Sequence, residues 1–391
     1  MVSVEEAIRL VKTNLPDRVT EIVQLVNALN YLLAEDVVAK INMPPFNQSS
    51  MDGYAVNYSE KIETYALVGE IAAGDSGEEF NVKVGESVRI FTGAIVPKGA
   101  NTVVQQEIVN SIGKEISFTQ PIKVGSNIRP LGEQTKTGQV ALKKGEQITP
   151  AAVGFLAGLG ITEVVVYKKP TLAVLVTGNE LVKSGEPLPK GKIYESNAIM
   201  LKSGIEHSGY DCAEIGRAED TFQATKLAIE KLLRSTDVLL VSGGISVGDY
   251  DFVGKALIEI GVKQIFYKVK QKPGKPLFFG TYQNKLIFAL PGNPAAALSC
   301  FYVYVYQALA ILSGKNDGLP TRQFTLKNAY AKKGDRAQFL KAKIDENQVE
   351  ILEGQSSAML HTFALADALV YVSETDNELE EGETVTAYIL P

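Results

Sequence analysis

Between residues 171 and 316, short apolar runs alternate with stretches of helical periodicity, and few folds accommodate that pattern. The runs at 172–177, 237–242, 264–269 and 285–290 are almost uninterrupted in apolar character, as strands buried on both faces must be. Helical spacing occupies 197–208, 221–234, 252–260 and 294–312. The alternation predicts a mostly parallel sheet between two helical layers, a three-layer α/β domain. In such open sheets, ligands sit beyond the carboxyl ends of the strands, so the loops there are where chemistry is expected.

Four polar or glycine-rich clusters fall at those ends: Thr177-Gly178-Asn179-Glu180-Leu181, then Ser242 to Asp251 (SGGISVGDYD), then Lys268 to Pro276, then Leu290 to Pro294 (LPGNP). The second and fourth have the makings of anion sites, since glycine admits backbone N–H groups close to a phosphate and a helix start adds a favourable dipole. Neither matches a P-loop or a dinucleotide fingerprint. Any one of them alone is as simply read as an ordinary strand-to-helix turn. Three along one sheet edge weigh against that reading. Lys268, Lys270 and Lys272 have the period of two that places side chains on one strand face, and Lys275 follows. They are either lysines guarding an edge strand or a cationic patch for phosphate or oxyanion. Glu180, Asp220, Asp249 and Asp251 share the edge, although Asp220 also opens a capping-box pattern and would serve as an N-cap. Carboxylates beside phosphates repel unless a cation intervenes, which implies Mg²⁺ or a similar ion. The residues by themselves thus point to an α/β protein that binds a phosphorylated ligand with lysines and a divalent metal.

The rest of the chain has other textures. A helix is expected at 3–14, a strand at 20–25 and a helix at 26–35. From 40 to 140 glycines and prolines punctuate β-like runs at 64–71, 87–91, 102–106 and 115–119. Thr149 and Pro150 open a helix at 149–159, and a strand at 163–167 follows. After Gly318-Leu319-Pro320 the sequence is β-like again to 384–390. The expected organisation is an α/β domain of 1–18 and 170–316, a small mixed linking domain of 19–39 and 141–169, an inserted β-rich domain of 40–140, and a β-rich domain at 317–391.

Composition removes several function classes. The 391 residues are 45% hydrophobic and 21% charged, enough for two to four packed domains. With 39 basic and 45 acidic residues the net charge is −6, which argues against a general nucleic-acid binder. Cys212, Cys300, His207 and His361 are the whole complement of cysteine and histidine, scattered singly, so neither a structural zinc site nor a histidine-based hydrolase is supported. Two isolated cysteines fit a reducing, cytoplasmic setting. The first residues form an amphipathic helix and not a signal peptide. The apolar run at 300–312, about 13 residues, is too short to span a bilayer, so no membrane role is expected.

Taken in order, the motifs resemble the molybdopterin molybdenumtransferase family (MoeA, and the E domain of gephyrin). They are PPFNQSSMDGYAV at 44–56, RIFTGA at 89–94, GSNIR at 125–129, TGNEL at 177–181, IYESN at 193–197, SGGISVGDYD at 242–251, KPGKP at 272–276 and LPGNP at 290–294. The likeness runs from about residue 5 to 375 and is specific as a set. It implies a MoaB-like α/β domain, an inserted β-rich domain and a C-terminal β-barrel, in an elongated homodimer whose cleft joins one subunit's insertion to the other's α/β domain. It implies that adenylylated molybdopterin and molybdate are the substrates, with Mg²⁺, and that AMP leaves as molybdenum is loaded. By matching positions, Asp52, Thr92, Glu180, Asp220, Asp251, Lys268 and Lys272 would act at the reacting centre. Ser196, Asn197, Ser242, Gly243, Gly244, Ser246, Gly248, Lys275, Pro291, Gly292, Asn293 and Ser357 would hold the ligand. Glu180, Asp220, Asp249 and Asp251 would hold the metal. A molybdopterin adenylyltransferase and downstream molybdoenzymes would be the partners. The sequence departs from the family at Gln134 and Asn179, where acidic residues are usual, at Asp249, where glutamate is common, and at Lys341, where arginine is usual. The competing readings are the preceding adenylyltransferase, which requires ATP, and a non-enzymatic gephyrin-like scaffold.

Overall fold

The central sheet has six strands in the order Cys212–Ala218, Leu172–Thr177, Val238–Ser242, Lys285–Leu290, Pro276–Tyr282 and Lys263–Lys268. The first four run parallel, with Val174 in register with both Ile215 and Leu240. Pro276–Tyr282 is antiparallel to both of its neighbours. This description is of a computed structural model that covers residues 1–245 and 252–391. Leu172–Thr177 is buried along its whole length because successive side chains feed two different cores. Leu172, Val174 and Val176 pack with the helices Val4–Thr13 and Asn197–His207. Ala173 and Leu175 pack with Phe222–Leu233 and Phe252–Ile260 on the other face. Each fully buried Leu or Val contributes about 1.5–3 kcal/mol, which is why both faces must be covered.

Two of these strands were not among the expected ones. Cys212–Ala218 alternates between half-buried and exposed residues, as an edge strand carrying Glu214 and Arg217 does, and so lacks the apolar signature. Pro276–Tyr282 begins at a proline and includes Gly280, both weak strand signals. The lysine cluster also differs from expectation. The edge strand ends at Lys268, and Gln271–Lys272 pairs instead with Ala337–Asp345 of another sheet. Lys268, Lys270 and Lys272 therefore share no strand face.

The expected helix at 294–312 is continuous but not uniform: Pro294–Cys300 is α-helical, Phe301–Val305 is π-helical and Tyr306–Leu312 is α-helical again. This run of 19 residues is longer than its apolar part suggested, and by length and composition could cross a bilayer; 89% of it is buried inside the protein as a core helix. In the C-terminal region, Ala337–Asp345, Gln348–Ile351, Thr321–Leu326, Thr384–Ile389 and Ala368–Val372 pair in a ring, closed where Ala337–Asp345 meets Ala368–Val372. This five-strand barrel has its own core around Phe324, Leu340 and Val370. Its Phe339 and Leu369 belong to the core that holds Phe301 and Tyr304. Accordingly the α/β region and the barrel form one compact unit, with Met1–Glu21, Asn30–Ala34 and Val166–Pro391. The expected boundaries at 170 and 317 thus fall at or inside this unit.

A second unit comprises Ile22–Leu29 and Glu35–Val165. Its six-stranded sheet has the order Thr102–Gln105, Gly53–Val56, Glu86–Ile90, Thr64–Ile71, Glu115–Phe118 and Val109–Ile112, over a core that includes Ala55, Ile71, Val88 and Ile90. The Thr149 hydroxyl accepts the Ala152 N–H at 3.2 Å and caps Pro150–Gly158 as expected. The helix expected at 26–35 does not form. Only a 3-10 turn, Leu25–Asn27, is present, and Asn30 is left-handed at φ 65°, a conformation a helix interior excludes.

Candidate functional site

A cavity of about 760 Å³ opens at the carboxyl ends of the parallel strands. Its floor is built where three loops converge on Asn197. The Asn197 amide donates to Ser242 Oγ at 2.9 Å and to the Gly292 carbonyl at 2.8 Å, so a helix start, a strand end and the LPGNP turn hold one another. Gly243 and Gly244 both have positive φ, at 89° and 63°. A Cβ at Gly243 would lie 2.4 Å from the Thr177 carbonyl oxygen, and one at Gly244 would lie 2.6 Å from Thr177 Oγ1. Only glycine lets these two strand ends approach so closely. Two buried polar atoms, Asn197 Oδ1 and Thr177 Oγ1, have no hydrogen-bond partner among the described residues. A buried polar atom left so costs about 1–3 kcal/mol unless a ligand or water completes it.

The opposite wall comes from the barrel side. Asn293 donates to Ser357 Oγ at 2.8 Å, and the Ala296 N–H donates to the Ser357 carbonyl at 3.3 Å. Ser357 therefore sits at the start of the buried helix Pro294–Cys300. Lys272, Lys275 and Arg336 complete the wall and supply its positive charge. The Lys272–Pro273 peptide is cis. The turn after it is held by Gln271, fully buried, whose amide donates to the Pro273 and Gly274 carbonyls at 3.0 and 3.3 Å. Tyr304 from the π-helical turn donates its hydroxyl to the Gln271 side-chain oxygen.

Of the sequence-derived site residues, Glu180, Ser196, Asn197, Ser242, Gly243, Lys272, Lys275, Pro291, Gly292, Asn293 and Ser357 line this cavity. Gly244 adjoins it through Thr177. Lys268 does not line it: its ammonium lies 5.6 Å from the Tyr267 ring centroid on the edge strand. Lys270 is also turned away, paired with Glu374 at 3.1 Å and Asp335 at 3.7 Å. Asp220 is not the N-cap. The hydroxyl of Thr221 accepts the Ala224 N–H, and Asp220 instead exchanges hydrogen bonds with Asn179. A carboxylate one residue ahead of the cap is free for that contact. Ser246, Gly248, Asp249 and Asp251 lie outside the described residues. Among the described residues no group of three His, Cys, Asp or Glu side chains is arranged to hold a metal. Glu180 and Asp220 are the two expected metal ligands that are described, and their hard oxygen donors suit a divalent cation.

Asp52 and Thr92 belong to the second unit. Asp52 Oδ1 accepts both the Thr92 N–H and the Thr92 hydroxyl, each at 2.7 Å. These bonds, the backbone one foremost, hold the exposed Asp52 carboxyl below its ordinary range, with Arg89 helping. The side chain is thus a fixed carboxylate at neutral pH.

Sequence reasoning missed Glu195, which lines the cavity and is 4% exposed. Its carboxylate accepts the Ala198 N–H at 2.8 Å and lies 3.9 Å from Arg217. Glu195 stands one residue ahead of the N-cap Ser196, where the capping box expects no glutamate, so no local pattern marked it. Arg336 and Ser356, both from the barrel region, were missed because nothing local marks them.

Comparison with known proteins gives this architecture its relatives. Residues 2–160 match the family model described as MoeA N-terminal region (domain I and II). Residues 173–310 match "Probable molybdopterin binding domain", and 323–390 match MoeA C-terminal region (domain IV). A protein named molybdopterin molybdenumtransferase from Haemophilus influenzae is 35% identical over 94% of this chain and 93% of its own length. One of the same name from Staphylococcus aureus is 32% identical over 88% of this chain and 83% of its own. The crystal structure of a molybdopterin biosynthesis MoeA protein from Pyrococcus horikoshii superposes with a TM-score of 0.86 at 30% identity, covering 100% of this chain and 99% of that one. With a cavity at the expected sheet edge and three family regions in order along its length, the chain belongs to the MoeA family of molybdopterin molybdenumtransferases.

Proposed function

We propose that this enzyme of molybdenum cofactor biosynthesis takes adenylylated molybdopterin and molybdate, releases AMP and leaves molybdenum on the dithiolene. The observation that carries the reading is the 760 Å³ cavity, which joins a glycine-lined strand end to two lysines. That volume lies within the range of small-molecule sites and suits a ligand larger than a mononucleotide. Phosphates would lie against Gly243, Gly244 and the start of Pro294–Cys300, where N–H groups and the helix dipole favour anions. Thr177 Oγ1 and Asn197 Oδ1 would take up ligand donors. Lys272 and Lys275 would hold the oxyanion and stabilise charge as the phosphoanhydride breaks. Mg²⁺ would be held by Glu180 and Asp220 with Asp249 and Asp251, and would neutralise phosphate charge.

Asp52 and Thr92 enter the same reading as a rigid carboxylate–hydroxyl pair that a homodimer would bring to the partner subunit's cavity. Family resemblance motivates that arrangement, and a two-fold axis would make two equivalent clefts. An adenylyltransferase that supplies the substrate and molybdoenzymes that accept the product would be the partners, in the cytoplasm. The deciding experiment supplies purified protein with adenylylated molybdopterin, Mg²⁺ and molybdate, then quantifies AMP and cofactor. Molybdate-dependent AMP release supports the reading. Turnover that requires ATP and ignores molybdate would transfer the chain to the adenylyltransferases, and no turnover at all would favour a scaffold.

A further inference from the structure

Lys341 is the least expected charge in the molecule. It lies within the barrel strand Ala337–Asp345 and is 3% exposed. Leu340 and Ala342 face the barrel core, whereas Phe339 belongs to the core shared with the α/β region, so strand alternation puts Lys341 on that outer side. The 352–359 loop covers it. All three ammonium protons are used: Nζ donates to the carbonyls of Gly354 at 2.8 Å, Ser356 at 3.2 Å and Met359 at 3.2 Å. The Lys341 backbone is held in turn by Gln355, whose side chain accepts its N–H at 3.0 Å and donates to its carbonyl at 2.8 Å. Among the described residues no carboxylate lies within ion-pairing distance of this ammonium. Of the titratable groups on neighbouring elements, Glu350 is engaged by Lys327, Asp367 by the Ile344 amide and Tyr371 by Glu5. Lys343 shares its strand, and Glu353 and His361 are exposed.

A buried charge with only carbonyls for company is costly, and its three bonds converge on the loop that carries Ser356 and Ser357. We propose that Lys341 is a positioning residue, whose ammonium clamps the 354–359 loop so that Ser357 stays against Asn293 in the cavity wall. This rests on the reading of that cavity as the substrate site. Burial pushes the Lys341 pKa down to about 8. A neutral amine has two N–H donors and cannot serve three carbonyls, so the clamp weakens as pH rises through that value.

Two measurements test the clamp. Amide-exchange protection of 354–359, corrected for intrinsic rates, should fall severalfold in the wild type between pH 7 and 9. Lys341→Met should have about tenfold less protection than the wild type at pH 7 and no pH step of its own, and Lys341→Arg, which keeps its charge, should show no such step either. With adenylylated molybdopterin, Lys341→Met should raise KM about tenfold and change kcat less than threefold. A pH-independent wild-type loop, or a fall in kcat with KM unchanged, would overturn the proposal. Should Lys341→Met not fold, the wild-type step and its absence in Lys341→Arg still decide. Absence of AMP release from the wild type would instead remove the functional reading, while the exchange result stands by itself.

Discussion

The two walls of the cavity are held by different physics. The sheet-edge wall is held by neutral, short-range contacts: Asn197 joins Ser242 to Gly292, and two glycines let Thr177 approach. The barrel-side wall depends on buried polar side chains, namely Lys341 beneath the Ser357 loop and Gln271 with Tyr304 beneath the Lys272 turn. The first wall has no slack, because it is backbone against backbone. The second is adjustable, because side chains reach across a gap to hold loops. Changes at the first should therefore be all-or-none, and changes at the second graded.

The largest effect is expected at the first wall. Gly243→Ala places a Cβ 2.4 Å from the Thr177 carbonyl at a φ of 89°, so strain and clash act together. We expect a loss of about 4 kcal/mol or more, seen as a Tm drop of several degrees or as insoluble protein. A variant with wild-type Tm and activity would show that this wall yields like the other.

Next is the ionisation of Lys341, which has opposite local and global signs. Its pKa is about 8 when folded and near its ordinary 10.5 when unfolded. Between these values the unfolded chain binds more protons, so unfolding free energy rises with pH. Relative to Lys341→Met, wild-type stability should rise by up to roughly 3 kcal/mol from pH 8 to 10.5, even as the loop loosens. Denaturant titrations of both proteins across that range check this, and parallel curves would mean that Lys341 does not titrate there.

Lys272→Ala removes a cation from the adjustable wall without touching the core. Losing a charge-assisted hydrogen bond costs about 1.5–3 kcal/mol, or roughly ten- to a hundredfold in molybdate-dependent turnover. Unaltered molybdate dependence would assign the anion to Lys275 or Arg336.

This contrast also governs what could be read in the sequence. Leu172–Thr177 and Lys285–Leu290 were legible to the residue, because strands buried on both faces carry an unbroken apolar run. Cys212–Ala218 was not, because an edge strand looks polar. The sheet-edge wall was legible for the same reason as its strands, since glycines and asparagines stand immediately after them. The adjustable wall was mostly hidden. Lys268 and Lys272 look like one strand face, yet the chain changes sheets between them. Lys341, Gln271 and Tyr304 act on loops near in space, and no local spacing announces that. Asp220 shows a further limit: the capping-box spacing it opens with Gln223 is not used, because Thr221 takes the cap and the Asp220 N–H goes to Asn179.

The smallest effect tests how the adjustable wall is tuned. Tyr304 and Gln271 are both fully buried, and the Tyr304 hydroxyl donates to the Gln271 oxygen. Burial keeps that hydroxyl well above its ordinary pKa, so it remains a donor across any usable pH. Tyr304→Phe keeps the ring that packs in the shared core and removes only the donor. The Gln271 oxygen is then left buried and unpaired, at about 1–2 kcal/mol. Because the other end of Gln271 holds the Pro273 and Gly274 carbonyls, part of that cost should be relieved by rotation of the amide, which loosens the turn carrying Lys272 and Lys275. We therefore expect a modest Tm decrease together with a severalfold rise in KM and little change in kcat. Combining Tyr304→Phe with Lys272→Ala separates the contributions: if the tyrosine acts through the Lys272 turn, its KM effect should shrink once Lys272 is gone, whereas additive effects would place Tyr304 in the core alone.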